Sequence, residues 1–179
     1  MAMANHPDLG KAFNVWRKYL LMGNTLPARL LEIIILRVAA RVRSAYEWHN
    51  HVGYAMNAGL TLEDIAAIRD WMPDAVADPR WSETEAAVLV GIDELIVKGT
   101  LTDATWTTLA RTLDKRQMMD LVFTIGHYVM TSWALSSFGV PIEGGADPIG
   151  FDLWTASGRI PGKTYKPGET EDWVETRGY

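Results

Sequence analysis

The stretch ARLLEIIILRVAARVRS, residues 28–44, constrains the fold more than any other part of the chain. It is apolar on nearly every side, so it must be buried on nearly every side. Its near-continuous Leu and Ile also fit a buried strand. Its length, its Ala, Arg and Leu content and the lack of alternation favour a helix. Glu32 and Arg37 interrupt the apolar run, which is too short to cross a bilayer. Pro27 suits the first turn of such a helix, where its missing N–H costs little.

The flanking sequence reads as further helices. His6-Pro7-Asp8 opens one with Leu9, Phe13, Trp16 and Leu20 as its apolar positions, and Gly23-Asn24 closes it. Ser44 with Glu47 three residues on has the Ser-x-x-Glu capping-box pattern, and the helix it opens runs to Asn57-Ala58-Gly59. Thr61 to Asp64 caps a short helix through Ile68, Trp71-Met72-Pro73 breaks it, and residues 77–80 form a turn. Ser82 opens a helix with Ala86, Leu89, Val90 and Leu95 on one face. Helices over Thr102–Leu113 and Lys115–Ser136 complete the set. Gly126 inside the last of these costs roughly 1 kcal/mol against Ala, and close packing of another backbone against it is the expected compensation. The prediction is an all-α domain over residues 1–142, about seven helices around the pair 27–43 and 45–57. Residues 143–179 are rich in Gly and Pro and read as an extended arm. Their Phe151, Trp154, Tyr165 and Trp173 suggest an arm that packs on its own domain or on a neighbouring subunit.

Several function classes fall to composition. The chain has no Cys, which removes disulfides, thiolate nucleophiles and Cys-ligated zinc together and suits a reducing cytoplasm. The net charge of −5 and the absence of a basic stripe argue against nucleic acid as a partner. No leader peptide, phosphate loop or dinucleotide fingerprint is visible, and no membrane partner is expected.

The chemistry concentrates around His51. On a helix beginning near Ala45, Glu47 and His51 are four residues apart and share a face, together with Ser44 and Trp48. A carboxylate beside an imidazole orients the ring and stabilises its protonated form, one way to build a proton donor or acceptor. His49 is two residues from His51 and diverges from it by about 200°, so the pair is a poor chelate, and no metal or other cofactor is expected. His127 reads as a packed or interface residue and His6 as a surface one. Ser44 is a weak nucleophile candidate, because a cap serine is committed to backbone donors.

The Glu32 position in LLEIIILRVA, the SAYEW entry to the next helix, His51, the following AxxxGLTxEDI and the later GHYVMTSWALSSFGVP together resemble the carboxymuconolactone decarboxylase family, which shares its fold with alkylhydroperoxidase D. The resemblance spans roughly residues 8–142. The peroxidase branch of that fold carries Cys-x-x-Cys, with a Glu twelve residues before the first Cys and a His four after the second. Here Ser44 and Glu47 fill the two Cys slots, while Glu32 and His51 hold the two relay positions. Tyr46 stands where a second relay His often occurs. A hydroxyl and a carboxylate cannot cycle through a disulfide, so thiol peroxidase chemistry is excluded.

The resemblance implies the branch that works without thiols: cofactor-free decarboxylation of a small, anionic, carboxylated lactone or related aromatic-degradation intermediate. His51 would be the acid/base, supported by Glu32 and Glu47. Tyr46, Tyr54 and Trp48 are candidate substrate contacts, and Arg37 or Arg41 would pair with a carboxylate if either faces the pocket. It also implies a homo-oligomer, a trimer or a trimer of dimers. Another lyase, hydratase or isomerase, or a binding protein without turnover, would use the same scaffold. Glu32 as a structural acid, Glu47 as a mere capping acid and Tyr46 and Trp48 as core residues are the plainer alternatives.

Overall fold

The computed structural model describes residues 2–72 and 78–142, and all regular structure among them is helical. A 3-10 turn (Ala2–Asn5) leads into α1 (Pro7–Met22), α2 (Ala28–Val42), α3 (Ala45–Asn57), α4 (Leu62–Arg69), α5 (Glu83–Lys98), α6 (Asp103–Leu109) and α7 (Lys115–Ser137). The expected arm over 143–179 lies outside the described residues. No helix among those described is long and apolar enough to cross a membrane.

Local chemistry explains most boundaries. His6 caps α1, its Nδ1 accepting the Leu9 N–H at 3.3 Å, so this surface histidine has a structural task. Thr61–Asp64, Ser82–Glu85 and Asp114–Gln117 form reciprocal capping boxes at α4, α5 and α7. Ser44 forms only half of one. Its hydroxyl accepts the Glu47 N–H at 3.4 Å, but its own N–H donates to the Ala39 carbonyl at 2.9 Å. That bond exists because Arg43 ends α2 in the left-handed region, at φ 60 and ψ 42. The predicted return bond from the Glu47 carboxylate is therefore replaced, and that carboxylate serves elsewhere.

α2 is the central element, packed against α3, α4, α5 and α7. Ile33, Ile34, Ile35, Leu36 and Val38 are wholly buried, joined in the core by Trp48, Val52, Ile65, Ile68, Leu89 and Leu121. Trp48 is thus a core residue rather than a substrate contact. The polar face of α2 ties the bundle together. The buried Arg37 makes a bidentate pair with Asp93 of α5 (3.0 and 2.6 Å) and donates to the Ile68 carbonyl at the end of α4 (3.0 Å). Arg41 reaches the same Asp93 at 3.1 Å. Both arginines are committed to this cross-tie, and on a helix they lie about 140° and 180° around α2 from Glu32. Neither is a substrate anchor for the site on the Glu32 side.

A second cross-tie seats α1 and the α1–α2 turn on α7. Asp120 accepts the Tyr19 hydroxyl at 2.7 Å, the Thr25 N–H at 2.8 Å and the Thr25 hydroxyl at 2.6 Å. Burial pushes this carboxyl up, but the hydrogen bonds from Thr25 and Tyr19 outweigh it and hold the group below its ordinary range. Gly126 departs from expectation. It is exposed on α7, and a Cβ there would meet nothing within 4 Å among the described residues, so none of their backbone packs against it.

Candidate acid–base site

α2 and α3 bring two acids to one imidazole. Glu32 projects from the central helix and its Oε2 lies 2.9 Å from His51 Nδ1. Glu47, one turn before His51 on α3, places its Oε2 at 3.5 Å from His51 Nε2. All three side chains are largely but not wholly covered: 12% exposed for His51, 11% for Glu32 and 9% for Glu47. Glu32 accepting from Nδ1–H leaves Nε2 as the working nitrogen, facing Glu47.

The electrostatics differ between the acids' surroundings. Burial pushes the Glu47 carboxyl above the usual carboxylate range, although the His51 and Arg17 charges pull the other way. Tyr128 of α7 stands beside the pair. Burial raises its phenol, and the Glu47 and Glu32 charges raise it further, so the hydroxyl keeps its proton. Next along α7, His127 is driven down to about 4 by burial, with the Arg17 charge adding to the effect. Its Nδ1 accepts the Trp16 indole N–H at 3.1 Å, which agrees with a neutral ring.

Of the other residues singled out from sequence, Tyr54 is exposed and its ring centroid is 5.6 Å from that of His51, at the mouth of the site. Tyr46 is half-buried and, five positions before His51, lies about 140° around α3 from it. Two residues were passed over. Tyr128 gave no sign of itself within an apolar helix. Arg17, exposed on α1, is the cation whose field reaches Glu47, His127 and Tyr128 together. Its sequence separation from α3 and α7 hid that proximity. Among the described residues, no group of three His, Asp or Glu side chains is arranged to hold a metal ion.

An imidazole gripped at both nitrogens by carboxyl groups, next to a neutral phenol and an exposed cation, is built for moving protons beside an anion. Residues 7–89, the stretch that contains both acids and the imidazole, match the model of the carboxymuconolactone decarboxylase family. The match covers a little under half of the chain, and the chain carries no cysteine. Similar solved structures include a protein of unknown function from Agrobacterium tumefaciens described as a putative antioxidant defence protein AhpD, at 20% identity and a TM-score of 0.68, covering 78% of this chain and 93% of that one. The debrominase Bmp8, solved with 2,3,4-tribromopyrrole, aligns at 17% identity and a TM-score of 0.67 over 80% of this chain and 75% of its own. An uncharacterized peroxidase-related protein from Silicibacter sp. TM1040 aligns at 15% identity and a TM-score of 0.64, over 75% and 70%. At these identities the likeness is one of fold, which is all-α and AhpD-like. No curated protein sequence matches the chain.

Proposed function

We propose that the chain is a cofactor-free carbon–carbon lyase that decarboxylates a small carboxylated lactone or a related aromatic-degradation intermediate by proton transfer. The observation that carries this reading is the clamp on His51: Glu32 at 2.9 Å on Nδ1 and Glu47 at 3.5 Å on Nε2. The match of residues 7–89 to the carboxymuconolactone decarboxylase family model supports it. In the step, the bond between a ring carbon and the substrate carboxylate breaks and CO₂ leaves. The electron pair delocalises into the conjugated carbonyl, and His51 Nε2 delivers a proton to carbon. Glu32 stabilises the charged ring through Nδ1–H, and Glu47, whose carboxyl burial pushes above the usual carboxylate range, exchanges a proton with Nε2 and restores it there. Arg17 takes the role first given to Arg37 and Arg41, attracting the substrate anion to the mouth beside Tyr54. Tyr46 remains a candidate hydrogen-bond donor to a substrate oxygen only if substrate extends around α3.

The test is CO₂ release and loss of conjugated absorbance across a panel of carboxylated unsaturated lactones and β-keto acids. At least one should turn over, and His51→Asn should lower its kcat by about 100-fold or more with unchanged helical circular dichroism. Full activity in that variant removes His51 from the chemistry. Silence of the wild-type protein across the panel removes decarboxylation.

A further inference from the structure

The proposed step loads negative charge onto a substrate oxygen, and the groups of the acid–base cluster are engaged elsewhere. Glu32 accepts from His51 Nδ1 at 2.9 Å and has no proton to offer an oxyanion. His51 Nε2 faces Glu47 at 3.5 Å and spends its proton on carbon. Arg17 is exposed on α1. Charge that builds on an enolate oxygen is stabilised most by a donor fixed in place before the bond breaks.

Tyr128 of α7 carries an uncommitted donor beside the cluster. It is 6% exposed, yet its hydroxyl has no hydrogen-bond partner among the described residues. Buried hydroxyls normally have one, as Tyr19 shows by donating to Asp120 at 2.7 Å. Nor is the Tyr128 oxygen sealed in, in contrast to the Ser132 hydroxyl one turn further along α7, which is enclosed without a partner. The phenol ring stands edge-on to the imidazole, with centroids 5.3 Å apart and planes at 88°. The Glu47 charge acts on the phenol more strongly than the Glu32 charge, and the Arg17 charge reaches it as well, which agrees with a hydroxyl on the Nε2 side of His51. Burial, together with the two acids, keeps the phenol protonated. It is a donor that does not compete with His51 for the proton in transit.

We propose that the Tyr128 hydroxyl is the oxyanion donor of this site, hydrogen-bonding the substrate carbonyl oxygen as that oxygen becomes an enolate. The choice of oxygen rests on the decarboxylation reading. As the bond between ring carbon and carboxylate breaks, its electron pair passes through the conjugated system to the carbonyl oxygen, and CO₂ leaves. Tyr128 holds that oxygen without giving up its own proton. The enolate then takes the Nε2 proton at carbon, and the carbonyl re-forms. The ligand class this defines is a small, flat, enolised carbonyl compound. No described residue uses this hydroxyl in folding, so its removal falls on binding and chemistry rather than on stability.

Tetronate, a five-membered lactone that is an enolate at neutral pH, tests the donor without any turnover, and the parent butenolide is its uncharged counterpart. In NMR titrations of the full chain, the wild-type protein should bind tetronate more tightly than butenolide. Tyr128→Phe should weaken tetronate by about tenfold or more and leave butenolide within about twofold. Equal loss of both, no loss of tetronate, or a wild-type protein without preference for tetronate overturns the donor role. On any carboxylated lactone that turns over, the same variant should lose about 100-fold in kcat with little change in KM, and an unchanged kcat overturns the role as well. If no substrate turns over but the variant loses tetronate selectively, decarboxylation falls and the donor stands. Should Tyr128→Phe not fold, the wild-type protein decides. Isotopically labelled at tyrosine Cζ, its Tyr128 resonance should shift with tetronate and stay still with butenolide; a resonance that moves equally with both, or with neither, overturns the proposal.

Discussion

Tyr128 stands edge-on to His51, with ring centroids 5.3 Å apart and planes at 88°. Its other side meets His127 in the same way, at 5.1 Å and 85°. The phenol is therefore a wedge between a histidine clamped by two acids and a histidine kept neutral by burial. Removing the wedge should matter through packing more than through the hydroxyl. Tyr128→Ala is expected to cost about 3–5 kcal/mol in urea unfolding, and Tyr128→Phe, which keeps the ring, less than about 1.5 kcal/mol.

Glu47 sets a pH dependence whose sign follows from its burial. Its folded-state value is raised, so folding favours the protonated acid. That stabilising contribution is present below the ordinary carboxylate value and is lost as pH rises through the raised one. Glu47→Gln, neutral at every pH, should flatten this alkaline loss in unfolding free energy. The amide cannot release a proton, so kcat on any substrate found should drop while KM changes little.

His127 works in the opposite sense. Its folded value is depressed from 6.5 to about 4. The neutral ring's contribution is complete above 6.5 and is lost as pH falls from there towards 4, because the unfolded chain takes up the proton first. NMR titration should show His127 uncharged through that window. His127→Gln should make stability less sensitive to acid across it.

The arginines separate fold from function. Arg37→Met leaves Asp93 to Arg41 and removes the donor to the Ile68 carbonyl, and should destabilise the bundle by about 1–3 kcal/mol in chemical denaturation. Arg17→Ala should leave unfolding unchanged within about 0.5 kcal/mol and raise KM for an anionic substrate. A large stability loss at Arg17, or a KM effect without destabilisation at Arg37, would reverse these assignments.

Helix identity was legible because the apolar periods and caps agree. Ser82–Glu85 and Thr61–Asp64 form the capping boxes their spacing announces. The same pattern at Ser44 was ambiguous, since one carboxylate rotamer serves either the cap or the imidazole four residues on. What decided it was the Arg43 conformation, which gives the Ser44 N–H another acceptor and has no sequence signature. The pairing of Glu47 with His51 follows from helix geometry, whereas Glu32 and His51 were linked only by family resemblance. The facing of Arg37 was open to the same helix arithmetic that links Glu47 to His51, since five residues from Glu32 turns it well away. Arg17 and Tyr128 were out of reach, because their proximity to α3 depends on how α1 and α7 pack, which Asp120 helps to set through contacts with Tyr19 and Thr25 about a hundred residues away in sequence.

The corner at Arg43 and Ser44 has a wider consequence. Glu32 and His51 ride on separate helices whose relative rotation is geared through two residues of backbone. One inserted residue there would turn α3 by about 100° about its axis and carry the imidazole off its acid while leaving both helices intact. Side chains around this centre are free to drift towards new substrates, but the length of that corner is not.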